Sequence, residues 1–382
     1  MNRLRLTVCL GCLLLLTSCF KDEPLNSEAD IQRVAVDIDQ PLSVFFALTD
    51  SAQDIASTDS AIVFNVRSKA DLTSLAPTFK LTPGASISPA SGSVHDFSQG
   101  SVSYDVTSQD GQWHRHYTVR FHPTIVTVKD TIRYDFEHFA LNANGQKYYQ
   151  WYELDDDGNR SEDWGTGNSG FNLSMGSALP NEYPTYPLAD GHTGAGVALT
   201  TRSTGSFGEW VNRRIAAGNL FLGTFDLQQA LVNTLHATKF GIPFTIRPVT
   251  FSGYYQYTPG KTYQDENGQT VSQREDKGAI YAVLYRNHDD AGNAVVLYGD
   301  DVKTSPLIVA IADMGDISTT NGWTAFSANF LYRKEIDNTL LQNRGYSLAL
   351  VFSSSNEGDH FQGAIGSTLL IDEVQIVGTT QE

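Results

Sequence analysis

The stretch STLLIDEVQIV, residues 367–377, decides how this chain folds. Its β-branched and aliphatic residues read as a strand, in which every second side chain points the same way. Leu370, Asp372, Val374 and Ile376 then share one face, and Leu369, Ile371, Glu373 and Val377 share the other. Whichever face is buried, a carboxylate lies in its row. A buried, unpaired carboxylate costs several kcal/mol, so the acid must be protonated, hydrogen-bonded, ion-paired or bound to a metal.

Working outward, a matching segment opens the same region: IRYDFEHF, residues 132–139, in which Asp135 and Glu137 share a strand face. Jelly-roll sandwiches bring first and last strands side by side, so Glu137 and Asp372 are expected to converge. A structural Ca²⁺, which takes six to eight oxygen ligands, is one way to neutralise them together. Pairing with Arg, Lys or backbone N–H groups is the other. Between these ends lie apolar strands such as Ala279 to Tyr285 and Leu307 to Ala312, long glycine-rich loops, and one helical segment near Leu227 to Thr238. The pattern predicts a large jelly-roll β-sandwich over residues 131–379.

Residues 31–123 show shorter alternating strands, the clearest being Val102 to Val106 and Tyr117 to Phe121 around the turn Asp110-Gly111. They predict an immunoglobulin-like β-sandwich without its disulfide, so the fold class is all-β. His122-Pro123 and Thr124 to Lys129 read as a connector. His114 and His116, at spacing i, i+2, read as exposed hairpin residues rather than metal ligands.

The N-terminus, MNRLRLTVCLGCLLLLTSC, carries two arginines, an apolar run too short to span a bilayer, and then Leu16-Thr17-Ser18-Cys19. It predicts a lipoprotein signal peptide over residues 1–18, lipidation at Cys19 and a tether over 19–30. The chain's three cysteines all fall in this segment, which excludes disulfides and cysteine-based zinc sites from the body. Losing Arg3 and Arg5 with the signal leaves 24 basic against 43 acidic residues, a balance that excludes nucleic acid as a natural partner. Membrane contact is expected through the lipid only.

Sugar binding needs an aromatic plane with amides and acids nearby. Tyr149, Trp151, Asp163, Trp164, Asn168 and Trp210 supply these groups from loop-rich sequence and are the expected ligand contacts. Tyr255 and Tyr257 share one strand face and Tyr254 takes the other, as in a core-facing strand, and all three are expected to be structural. Glu153, Asp155 and Asp157 alternate as the acids of jelly-roll retaining glucanases do, where nucleophile and acid/base stand about 5 to 5.5 Å apart. Asp156 and the turn Gly158-Asn159 favour a solvated turn instead. Elbow, zincin and P-loop motifs are absent. A G-x-G-x-x-G at Gly165, Gly167 and Gly170 follows an acidic loop, and no helix is predicted after it, so it reads as a flexible loop.

Taken together, IRYDFEHF, EDWGTGNSGF, YPTYPLADGHTGAGVALTTRSTG, KFGIPF, SGYYQYTPG and LALVFSSSNEGDHFQGAIGSTLLIDEVQI resemble the "putative carbohydrate metabolism domain" of Bacteroidetes lipoproteins. The Phe136-Glu137 pair and the Ile371-Asp372-Glu373-Val374 strand resemble the two ends of jelly-roll carbohydrate-binding modules. Phe20-Lys21-Asp22-Glu23 resembles an export tag for the outer face of the outer membrane. The resemblance implies a preceding immunoglobulin-like domain and an oligosaccharide or polysaccharide partner. Three functions are therefore expected in order: a lipid-anchored, non-catalytic glycan-binding protein of the cell envelope; a glucanase-type glycoside hydrolase; or an interaction lipoprotein docking on an outer-membrane glycan-uptake protein.

Overall fold

A computed structural model describes residues 24–381. The export segment and Cys19 lie outside the described residues. The chain divides after Val126 into two units.

In the first unit, a three-stranded sheet (Ala52–Asp54, Ile31–Val36, Pro77–Leu81) faces a four-stranded one (Ala61–Arg67, His114–Thr124, Val102–Thr107, Ser86–Ser88). This is the immunoglobulin-like sandwich. Aromatic packing fills its centre, where a disulfide would otherwise sit: Phe64 stacks on Phe121 at 5.0 Å, and Phe97 meets Phe121 edge-on at 4.7 Å. The hairpin turn is closed by Asp110, whose carboxylate accepts from Ser108 Oγ and from the Gln112 amide, with Gly111 at φ +71°.

The second unit is the jelly roll, two sheets around one apolar interior. One sheet runs Trp164–Gly165, Asn219–Phe225, Tyr346–Ser353, Gly278–Arg286, Ile308–Ile317 and Leu331–Tyr332, and the other places Thr368–Gln381 at its centre. The residues expected to connect the domains are not a linker. Thr127–Tyr134 is a strand, paired antiparallel with the closing strand from Tyr134 opposite Val374 to Thr127 opposite Gln381. First and last strands of the jelly roll are therefore neighbours, as the sequence implied.

The alternation read in STLLIDEVQIV breaks at one residue. Opposite the strand Arg247–Thr258, Ser252 pairs with Gln375 but Tyr254 pairs with Asp372, so the closing strand carries one extra residue. Glu373 occupies this bulge at φ +50°. The extra residue switches the buried parity, and Leu369, Ile371, Val374 and Ile376 all face the core. A strict period of two would have put Val374 and Ile376 on the opposite face from Leu369 and Ile371.

Asp372 sits at the switch with no exposed surface. Its Oδ1 accepts from the Glu373 amide at 2.7 Å and its Oδ2 from the Thr193 amide at 2.9 Å. Glu137 Oε1 accepts from the Ala195 amide, two residues along the same loop, at 2.8 Å. The loop Gly191 to Gly196 thus answers both acids with backbone N–H groups. Burial pushes Asp372 above the usual carboxylate range against these donors, and the charge of Glu137 pushes it the same way. Two glycines make the approach possible: a Cβ on Gly191 would stand 2.7 Å from Asp372 Oδ2, and one on Gly194 would stand 1.8 Å from Glu137 Oε1.

Helical content exceeds the single segment expected. Leu227–Val232 is helical and capped by Asp226, but Asn168–Ser174, Gly205–Trp210 and Asn338–Gln342 are helices too. These are one or two turns long and rich in Gly, Ser and Asn, so no apolar stripe announces them.

Gly194→Ala adds its Cβ at φ +61° against the Glu137 carboxylate. We expect it to cost about 2 kcal/mol in urea unfolding, from left-handed strain together with displacement of the acid. An unchanged midpoint would mean that the loop does not hold Glu137.

Candidate functional site

The Gly278–Arg286 strand is buried on both sides. Ile280, Ala282 and Leu284 enter the interior between the sheets, while Tyr281, Val283 and Tyr285 join a second apolar cluster on the sheet's other face with Phe221, Phe240, Val302 and Val351. Short helices and loops cover part of that face and leave a cavity of about 530 Å³.

Local chemistry builds its walls. Asn168 clips its helix to the neighbouring strand, donating Nδ2–H to the Thr185 carbonyl at 2.7 Å and accepting from the Thr185 amide at 3.1 Å. Asp226 caps Leu227–Val232 through the Gln228 and Gln229 amides and pairs with Lys239 Nζ at 2.9 Å, which lowers its pKa. Arg213 Nη1 donates to the Ala230 carbonyl at 2.5 Å and ties the loop after Gly205–Trp210 to that same helix. The rim is apolar and accessible, with Leu173 at 44%, Phe207 at 47% and Leu231 at 58% exposure. Trp210, 6.1 Å from the Phe207 ring, is 81% exposed. Polar groups stand among these: Arg213, Asn356 and Asp359 on one segment pair, Asp300 and Lys303 on another.

Of the aromatic residues expected to grip a sugar, Trp210 alone presents an open ring beside this cavity. Trp151 and Trp164 are 2% and 5% exposed and belong to the interior between the sheets, which corrects their expected role. They sit in strands of three and two residues, Tyr149–Trp151 and Trp164–Gly165. Tyr149 packs edge-on against Phe139 at 5.8 Å beside that interior. Asn168 is fully buried in its clip, and Asp163 offers its carbonyl to the Gly223 amide at 2.8 Å. Tyr257 is buried and Tyr255 packs against the core, while Tyr254 turns outward and stacks on His192 at 3.6 Å.

The acidic run is a turn, as its Gly-Asn ending implies. Asp155 accepts from the Asn159 side-chain amide at 3.0 Å and from the Asn159 and Asp157 backbone amides at 2.7 and 3.0 Å, which hold its pKa low, and Asp157 is exposed. Glu153 differs from both. It accepts the Trp164 indole N–H at 2.8 Å, and burial, reinforced by the charges of Asp135 and Asp163, pushes its pKa up to about 7. The G-x-G-x-x-G segment departs from the expected loop: Asn168–Ser174 opens directly after Gly167. Its glycines serve close packing, since a Cβ at Gly165 would meet the Phe221 ring at 2.6 Å and one at Gly170 the Phe225 ring at 3.3 Å.

Backbone N–H groups answer Glu137 and Asp372 in this structure. Three of their carboxylate contacts are N–H donors, and among the described residues no three His, Cys, Asp or Glu side chains gather to hold a metal. His114 and His116 likewise bond locally, to Thr107 and Asp105.

Comparison with known proteins follows this geometry closely. Residues 135–377 match the family model described as "Putative carbohydrate metabolism domain", and residues 42–120 match the N-terminal domain of the SGBP, or surface glycan-binding protein, family. A crystal structure of a "putative glycoside hydrolase" from Bacteroides thetaiotaomicron is 39% identical, covering 94% of this chain and 99% of its own, with a TM-score of 0.60. A second protein so described, from Bacteroides vulgatus, is 37% identical over 65% of this chain and 98% of its own, with a TM-score of 0.59. No curated protein matches. With almost two-thirds of its length inside one family model, the chain belongs to the carbohydrate metabolism domain family, carried behind a surface glycan-binding type N-terminal domain.

Proposed function

We propose that this protein is a lipid-anchored, non-catalytic glycan-binding protein of the outer membrane, with its saccharide site on the outer face of the larger jelly-roll sheet. One observation carries this reading. The cavity has aromatic lining at Phe207, Tyr281 and Phe361 together with amide, carboxylate and cationic groups, and the accessible indole of Trp210 lies outside that lining, 6.1 Å from the Phe207 ring. Stacking against the apolar face of a pyranose and hydrogen bonding to its hydroxyls need that combination. The first unit's membership among surface glycan-binding proteins supports a place at the cell surface. The lipobox ending at Cys19 supports the anchor. An outer-membrane glycan-uptake protein is the natural neighbour for such a protein.

A glycan array probed with the purified protein tests the site. Trp210→Ala should weaken its best oligosaccharide by tenfold or more, the loss expected for one stacking aromatic at a binding centre. Retained affinity would move the site elsewhere.

Glu153 favours a second reading, since a carboxyl poised near neutral pH suits a general acid, and both crystallographic relatives are described as glycoside hydrolases. Release of reducing sugar by the protein, lost in Glu153→Gln, would establish hydrolysis. The binding reading gives Glu153 a structural consequence instead. Its pKa rises from 4.5 to about 7 on folding, so the folded state holds more protons between those values and loses stability as pH climbs through them. Glu153→Gln should therefore leave stability unchanged at pH 4. At pH 8 it should raise stability by about 1–2 kcal/mol, a figure reduced for the group's partial exposure.

Chelation provides a further check on the carboxylate pair. Thermal unfolding with and without EDTA should give one midpoint if N–H groups alone neutralise Glu137 and Asp372; a lower midpoint with EDTA would restore calcium.

A further inference from the structure

The charged groups lining the cavity are unequally partnered. Lys303 Nζ stands 3.0 Å from Asp313 and lies over the Tyr281 ring at 4.1 Å. Asp300 and Asp359 hold His236 and His360 at 3.1 and 2.8 Å. Arg213 faces the same space, yet among the described residues no carboxylate lies within ion-pair distance of it. The guanidinium is nevertheless fixed. Nη1 donates to the Ala230 carbonyl, and the group's central carbon sits 5.7 Å from the Phe361 ring centroid.

A half-buried, positioned guanidinium without a counter-charge is the complement of an anion. Its planar fork fits the two oxygens of a carboxylate or sulfate, and Nε and Nη2 remain for them. The rest of the chain offers anions no general attraction, because its formal charge is −17. Selectivity for an acidic group would therefore have to arise locally. The aromatic lining beside Arg213 suits a ring body attached to that group.

We propose that the ligand of this cavity is an anionic saccharide, bearing a carboxylate or sulfate that pairs with Arg213. The inference rests on the glycan-binding reading above and names the class of sugar. Titration calorimetry on the protein with three probes tests it: an oligogalacturonate, the same oligomer with its carboxyls reduced to alcohols, and a sulfated galactose oligomer. One of the charged oligomers should bind at least tenfold tighter than the reduced one, and which of them does so distinguishes carboxylate from sulfate. Arg213→Gln should abolish that preference while changing affinity for the reduced oligomer less than twofold, and Arg213→Lys should keep part of it. If Arg213→Gln fails to fold, because the tie to Ala230 is lost, the comparison of ligands on the unsubstituted protein decides alone. Equal affinity for charged and reduced oligomers, or undiminished binding of the acid by a folded Arg213→Gln, would overturn the proposal. Silence toward all three, together with silence on the glycan array, would remove the glycan-binding reading itself.

Discussion

A buried carboxylate held by a glycine loop is the constraint on which the larger domain rests. Asp372 lies at the centre of its sheet with no exposed surface, and removing its N–H donors would leave a charge in the interior. Those donors come from Thr193 and from the bulge at Glu373, so the loop and the bulge are fixed together. Glu137 enters from the first strand and accepts from Ala195 in the same loop. Three segments far apart in sequence are thereby pinned at one point. Larger side chains at Gly191 and Gly194 would deny the approach, which explains why the sequence there reads Gly-His-Thr-Gly-Ala-Gly.

The pinned sheet and its partner enclose an interior made from alternate residues of each strand. Strands of the other sheet have a second apolar row. Tyr281, Phe221 and Val351 face outward from the sandwich, where a plain two-layer fold would show solvent-facing polar groups. Something must cover that face. Short helices and loops do so incompletely, and the uncovered remainder is the cavity beside Trp210. The second layer of apolar side chains thus both stabilises the sheet and shapes a site with aromatic walls.

Much of this was legible in the sequence, and the failures have physical causes. The all-β class followed from alternation and turn chemistry, and the adjacency of first and last strands from the way jelly rolls close. The single-residue bulge was not legible, because Glu373 looks like any outward residue until its partner strand reveals the extra position. Burial of Trp151 and Trp164 was not legible, because strands of three and two residues leave too short an alternation to assign a face. Arg213 carried no signal at all. Its importance depends on Ala230, Phe361 and the absence of a carboxylate nearby among the described residues, and none of these can be inferred from a run such as Val211-Asn212-Arg213-Arg214.

One unit matches a surface glycan-binding N-terminal domain and the other a carbohydrate metabolism domain, and the proposed recognition site lies on the second. The outer-face cavity is the reason, since it joins aromatic walls to positioned polar side chains and has the open Trp210 indole nearby. The most direct measurement is a crystal structure with a bound oligosaccharide. A sugar ring stacked on the Trp210 indole, with polar contacts from Arg213 or Asn356, is the predicted result. Density confined to the first unit, or to the opposite sheet beside His192 and Tyr254, would contradict the account.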